Sequence, residues 1–166
     1  MGALDNHSRI TPFLWFDSNA EAAADFYIGI FPNSRRLGDF RNTATDDPRV
    51  VPRGSVLTVA FELDGLKFTA LNGGPIFRFN ESISFVVRCD TQQEIDEYWA
   101  KLTAGGSESQ CGWLKDKFGL SWQIVPARLP ELIQHPKAMQ AMMRMKKLDI
   151  AELERAAKSA LRESYR

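Results

Sequence analysis

Two stretches decide how this chain folds: "FDSNAEAAADF" at residues 16–26 and "CDTQQEIDEYW" at residues 89–99. They align without a gap. In each, an aspartate (Asp17, Asp90) precedes a hydroxyl and, three residues later, a glutamate: Ser18 with Glu21, and Thr91 with Glu94. That is the pattern of a capping box, in which hydroxyl and carboxylate satisfy the first amides of a helix. An aromatic residue, Phe26 or Trp99, falls nine residues after each aspartate. Both stretches follow strand-like runs, "ITPFLWF" at 10–16 and "ISFVVRC" at 83–89.

The two halves also end alike. Gly65-Leu66-Lys67-Phe68-Thr69 matches Gly119-Leu120-Ser121-Trp122-Gln123, each glycine closing a turn into a final strand. Between helix and final strand there is room for strands at 34–41 and 55–63 in the first half, and for shorter ones at 107–111 and 113–117 in the second. A duplicated β-α-β-β-β unit follows, giving an α+β fold of two modules at about 10–74 and 82–126, within a domain spanning 1–126. The segment 42–55 carries the Pro, Asp and Gly of a surface flap, and 72–82 joins the modules. Residues 127–166 form a helical C-terminal extension, with helices expected at 129–134, 137–147 and 150–161, the last behind a capping box of Asp149 and Glu152. Met139, Met142 and Met143 share one helical face, suited to packing on the sheet or across a dimer, or to binding a partner or membrane as an amphipath.

Composition narrows the function classes. Lys+Arg and Asp+Glu balance at 21 each in 166 residues, without the basic stripe that neutralises phosphates, so neither nucleic acid nor an anionic membrane is an expected partner. No apolar run approaches the roughly 18 residues of a spanning helix. The start "MGALDNHS" lacks a signal peptide's regions, and Cys89 and Cys111 are too few for a disulfide framework, so a cytoplasmic location is the expectation.

Strand parity then separates two surfaces. If Gln123 points to one face, Ser121, Ser84, Val86 and Arg88 share it, and the repeat adds Thr69, Lys67, Thr11, Phe13 and Trp15. The opposite parity collects Leu14, Phe16, Leu66, Phe68, Ala70, Phe85, Val87, Leu120, Trp122 and Ile124, an apolar surface for the helices. The first face is predicted to be wet or filled by a ligand.

The paired modules, "AEAAADFY", "ALNGGP" and above all "CGWLKDKFGLSWQIVP" at 111–126 resemble the PhnB-like, 3-demethylubiquinone-9 3-methyltransferase-like branch of the vicinal oxygen chelate superfamily. Glyoxalase I, bleomycin-resistance proteins and extradiol dioxygenases are its relatives. The resemblance implies paired βαβββ modules forming a cupped sheet, commonly completed in a homodimer. It also implies that metal-dependent members hold a divalent ion through His or Glu on the first and last strands of each module. Here those positions fall on Thr11 or Pro12, Thr69, Ser84 and Gln123, none of them His, Asp or Glu, and His7 and His135 lie outside both modules. Hydroxyls and one amide bring no charge to offset ion dehydration, so no metal is expected.

Other residues carry two readings each. Arg88 and Lys67 would anchor an anionic group, or be solvated rim charges or members of ion pairs. Trp15 and Trp113 would stack on a planar ligand, or belong to the core. Cys111 lacks a histidine in either module to activate it as a nucleophile, and Cys89 reads as a small buried thiol. Gly73-Gly74 reads as a turn rather than a G-x-G-x-x-G cradle, so no cofactor is expected and methyl transfer is disfavoured. The expectation is a metal-independent protein acting on a small polar or anionic metabolite through Gln123, Thr69, Ser84, Arg88, Trp15, Lys67 and Trp113. The alternative is a non-catalytic protein that sequesters such a molecule. Glu62 is the carboxylate candidate for a base, with its parity open. Apolar sheet edges and the Met-rich helix predict a homodimer.

Overall fold

The computed structural model describes residues 7–43, 46–47 and 49–163, so the N-terminal stretch, the flap at 42–55 and the end of the extension lie partly outside the described residues. Contacts divide the chain into two compact units, Met1–Phe79 and Asn80–Arg166.

The first unit runs β1 (Phe13–Phe16), α1 (Ala20–Ile30), β2 (Arg35–Arg41), β3 (Val56–Leu63) and β4 (Leu66–Asn72). Its sheet has the order β1-β4-β3-β2, with β1 parallel to β4 and the other pairs antiparallel. Asp64 and Gly65, both left-handed with φ of 45° and 88°, make the two-residue hairpin that sets Leu63 opposite Leu66. The second unit repeats the plan with β5 (Ser84–Cys89), α2 (Gln92–Thr103), β6 (Ser107–Glu108), β7 (Trp113–Lys115) and β8 (Ser121–Pro126). Its order is β5-β8-β7-β6, with β5 parallel to β8. The α+β fold of two βαβββ modules read from the repeat is the fold observed.

Most of the apolar parity forms each unit's core; Leu66, expected there, is instead 48% exposed, because it is the first residue after the Asp64-Gly65 turn at the end of its strand. Leu14, Phe16, Val59, Phe61, Phe68 and Ala70 are buried with Ala20, Ala23, Ala24 and Tyr27 of α1, and Trp122, Ile124 and Leu114 are buried with Ile95, Trp99 and Leu102 of α2. Removing such side chains from water, at roughly 1.5–3 kcal/mol each for the larger ones, is the main term holding each helix on its sheet.

The helix starts differ from the expected symmetry. Thr91 and Glu94 form the complete capping box of α2. In α1 the N-cap is Asn19, without a side-chain cap, and Ser18 and Glu21 do not form the expected box. The amide of Ala20 donates instead to Asn72 Oδ1 at the end of β4 (2.8 Å), and Glu21 pairs with Arg36 at 3.6 Å. A tertiary partner has replaced the local one. Two strands are also shorter than expected. β1 begins only at Phe13, and β6 ends at Glu108 because Cys111 and Gly112 turn left-handed (φ 58° and 83°) and give their amides to Met145 and Lys146 carbonyls, each at 2.8 Å.

Those two bonds dock the C-terminal helices, α3 (Leu129–Leu132), α4 (Pro136–Arg144) and α5 (Ile150–Glu163). Leu132, Ala138, Met145, Leu148, Leu153 and Ala157 form their own core, against which Val125, Ala141 and Met142 pack. Gln92 of α2 fastens the α5 start by donating to the Leu148 carbonyl (3.0 Å) and accepting from the Ile150 amide (2.9 Å). Asp149 caps α5 by accepting from the Glu152 amide at 2.9 Å. The small face of α4, at Ala138 and Ala141, is what packs on the helical core. Met139 and Met143 point outward, so the expected methionine face is only partly used. Among the described residues no helix is long and apolar enough to cross a membrane.

Candidate functional site

Each sheet has a second face, turned away from its helix. In the second unit the register places Ser84 beside Ser121, Val86 beside Gln123 and Arg88 beside Val125, with Trp113 opposite Gln123 and Lys115 opposite Ser121. Gln123, Ser84 and Arg88, expected on one face, are thus brought together, and the register adds Trp113, whose face the sequence leaves open. Gln123 donates its amide to Ser84 Oγ at 2.9 Å. Val125 of the same face packs on the helical extension, which closes one end of this surface. Arg88 stands at its rim, 70% exposed, 3.8 Å from Asp90. An exposed pair of this kind contributes little to stability. Lys115 carries no signal in the sequence; its place opposite Ser121 follows only from the register of the short β7.

In the first unit, Thr69 lies beside Phe13 and Ala60, and Lys67 beside Glu62, which settles the open parity of Glu62: it shares the face of Thr69. Glu62 is engaged by Arg35 at 3.3 Å. Trp15 is on this face too, but its indole N–H donates to the Gly74 carbonyl (2.9 Å) and its ring meets Phe77 edge-on at 4.9 Å. A Cβ built on Gly73 would fall 2.3 Å from that ring. The glycine pair of the "NGG" turn therefore makes room for this chain's own tryptophan.

The histidine expectation needs correction. His7 does precede the first module, yet its Nε2 lies 2.6 Å from Thr69 Oγ1, with its ring 6.4 Å from that of Phe13. The chain reverses before β1, where Thr11 Oγ1 donates to the Ser8 carbonyl at 3.0 Å, and Pro12 gives its carbonyl to the Thr69 amide at 3.0 Å. Thr11 is the sequence signal for that reversal, since a short hydroxyl side chain bonding back three residues is a turn device. Neither Thr11 nor Pro12 is within β1.

A divalent ion does not fit these donors. Among the described residues no three His, Cys, Asp or Glu gather into a group. Transition metals take imidazole, thiolate or carboxylate; Ser84 and Gln123 in the second unit offer a hydroxyl and an amide, and Thr69 in the first has the single imidazole of His7 beside it. Gln123→Glu alone is expected to bind neither Zn²⁺ nor Ni²⁺ stoichiometrically in calorimetric titration, because one carboxylate beside hydroxyls leaves too few strong donors. A one-to-one isotherm removed by chelator would show that other side chains complete a site.

Asp116 does not take part in either polar face. It is buried at the β7–β8 turn, accepting from the Phe118 and Leu120 amides (2.8 and 3.1 Å) and from the Trp122 indole (2.9 Å). Nor is Cys89 chemically available: its burial, then the carboxylates of Glu94 and Asp90, push the thiol up to about 12. Cys111 is partly exposed. A thiol reagent at neutral pH is expected to modify Cys111 and leave Cys89 untouched until the protein unfolds, because only the thiolate reacts. Mass mapping that finds Cys89 labelled first would refute this.

A cavity of about 440 Å³ also lies in the first unit, lined by Asp17, Arg49, Pro52 and Gly73 among others. Its one cation, Arg49, is held by Asp47 at 2.6 Å, and that contact keeps the Asp47 carboxyl down at about 2.

Comparison with known proteins agrees with this architecture. The family model described as 3-demethylubiquinone-9 3-methyltransferase matches residues 8–125. No protein of curated function matches the chain. Among solved structures, a PhnB protein from Bacillus cereus named after the same methyltransferase is 31% identical, with a TM-score of 0.64, the match covering 72% of this chain and 100% of that one. A protein from Pseudomonas aeruginosa is 17% identical with a TM-score of 0.57, covering 72% of this chain and 97% of its own. The fosfomycin resistance protein FosX from Mesorhizobium loti shares the fold at 12% identity and a TM-score of 0.52, over 77% of this chain and 98% of that one. With two βαβββ modules in place and the family model spanning both, the chain belongs to the 3-demethylubiquinone-9 3-methyltransferase-like, PhnB-like family of the vicinal oxygen chelate superfamily.

Proposed function

We propose that this protein binds a small polar or anionic metabolite on the polar face of its second sheet and acts on it without a metal. The observation that carries this reading is the Gln123–Ser84 hydrogen bond, on a sheet face lined by hydrogen-bonding groups and flanked by Trp113. A face with a few placed polar groups beside an aromatic is what a small-molecule site requires. Within the first unit, His7 lies on Thr69 with Glu62 on the same sheet face, and either side chain can serve as a general base toward a molecule bound on that sheet. We do not extend the methyltransferase of the family's description to this chain. The Gly73-Gly74 turn is taken up by the Trp15 indole, leaving that glycine pair no part in cradling a methyl donor.

Native mass spectrometry of the purified protein, with identification of co-purifying small molecules, tests the reading. A stoichiometric polar or anionic metabolite is expected, and Gln123→Ala should weaken its retention about tenfold, the effect of losing a hydrogen bond worth about 1.4 kcal/mol. Retention unchanged by Gln123→Ala and Ser84→Ala together would refute it. Turnover of that metabolite by the purified protein, measured against a heat-unfolded control, separates the enzyme from the sequestering protein.

A further inference from the structure

The face away from α2 contains one hydroxyl that nothing in the fold explains. Ser121 is 1% exposed, and its Oγ is buried with no hydrogen-bond partner. An unsatisfied buried hydroxyl costs about 1–3 kcal/mol, and native structures keep few of them without a reason. The register places it in the middle of a row across three strands, Ser84 on β5, Ser121 on β8 and Lys115 on β7. The chemistry of the row is uniform. Ser84 Oγ already accepts from Gln123, which leaves its own O–H to donate. Ser121 has a free O–H, and Lys115 brings an ammonium with three donors and no acceptor. Two hydroxyls and a cation in line form a donor set for an oxyanion.

The ammonium already holds one. Lys115 Nζ lies 2.5 Å from Glu81 Oε1, with the lysine side chain 36% exposed and the glutamate 63% exposed. Hydrogen bonding from Lys115 is the first cause of the lowered Glu81 pKa. Glu81 lies before β5, outside the strands, so an incoming anion can replace its carboxylate without disturbing the sheet.

We propose that the Ser84–Ser121–Lys115 row is the subsite for the anionic group of the bound molecule, a carboxylate or phosphate, and that Glu81 is its intramolecular stand-in. The proposal rests on the small-molecule reading above and adds the charge class and the residues that recognise it. Arg88, the arginine expected from sequence to do this, is at the rim with Asp90 instead. Exchange of one oxyanion for another on Lys115 keeps the ion pair intact and supplies the acceptor that Ser121 lacks.

Inorganic phosphate and acetate, titrated separately into the ¹⁵N-labelled full chain, test this by amide chemical shifts. Saturable shifts centred on Ser84, Lys115 and Ser121 are expected, and the two titrations report which oxyanion the row prefers. Glu81→Gln should tighten binding about two- to fivefold, because the anion then no longer competes with an exposed carboxylate for the ammonium. Lys115→Met should abolish saturation and Ser121→Ala should weaken it. Glu81 is exposed, so the Glu81→Gln arm stands even if a buried variant fails to fold. Shifts that stay linear with both anions, or affinity unchanged in both Glu81→Gln and Lys115→Met, would overturn the subsite. If the anions fail in this way while a neutral metabolite co-purifies in a Gln123-dependent manner, the anion subsite is wrong and the small-molecule reading stands. If Gln123 and Ser84 are also without effect on retention, both are wrong.

Discussion

Asp116→Ala is expected to lower stability by about 3–5 kcal/mol, measured as a shift in the urea midpoint at constant slope. The carboxylate is 2% exposed and takes the Phe118 and Leu120 amides and the Trp122 indole N–H within one turn. Alanine removes all three acceptor contacts at once. Two of the stranded donors are backbone amides in the connection that Gly119 closes at φ 87°, and the third belongs to a tryptophan buried in the second core. Asp116→Asn should recover part of the loss, because its amide oxygen can accept while its NH₂ opposes a donor. A change below about 1 kcal/mol for Asp116→Ala would mean that water replaces the carboxylate there.

Gly73→Ala carries the second large expected effect, a loss of about 2–4 kcal/mol. The new methyl would need the space of the Trp15 ring, whose nearest atom is 2.3 Å from the ideal Cβ position. The indole would have to leave its bond to the Gly74 carbonyl and its edge contact with Phe77. A double-mutant cycle decides the cause: in a Trp15→Phe background, where the smaller ring vacates most of that space, Gly73→Ala should cost at least about 1 kcal/mol less. Additive losses would place the strain in the turn backbone rather than against the ring.

The architecture was legible because it is written twice. Gly65 and Gly119 mark equivalent turns, and strict alternation along 84–89 and 121–126 assigned Gln123, Ser84 and Trp122 to the sides on which they are found. The misses share a physical cause, a partner distant in sequence. Ser18 and Glu21 spell a local cap, yet Asn72, 52 residues away, takes the amide at the helix start. His7 looked detached because its partner, Thr69, is 62 residues further along the chain. The role of Lys115 depends on the register of a three-residue strand, too short to carry a periodic signal. Alternation gives a residue its side of a sheet, but neighbours across the sheet come only from pairing.

Asn72 also sets how the two helices can open. Its Oδ1 accepts from the first amide of α1 while its Nδ2 donates to the Val56 carbonyl at 3.0 Å, so one buried side chain joins helix start, β3 and the end of β4. The start of α2 is secured within its own first turn by Thr91 and Glu94. The first turn of α2 can therefore fray as a local event, leaving β5 and β8 paired. Unwinding α1 from its N-terminus strips Asn72 of a buried bond and loosens the strand ends with it. The same duplicated unit thus contains one helix whose opening is local and another whose opening is cooperative with its sheet.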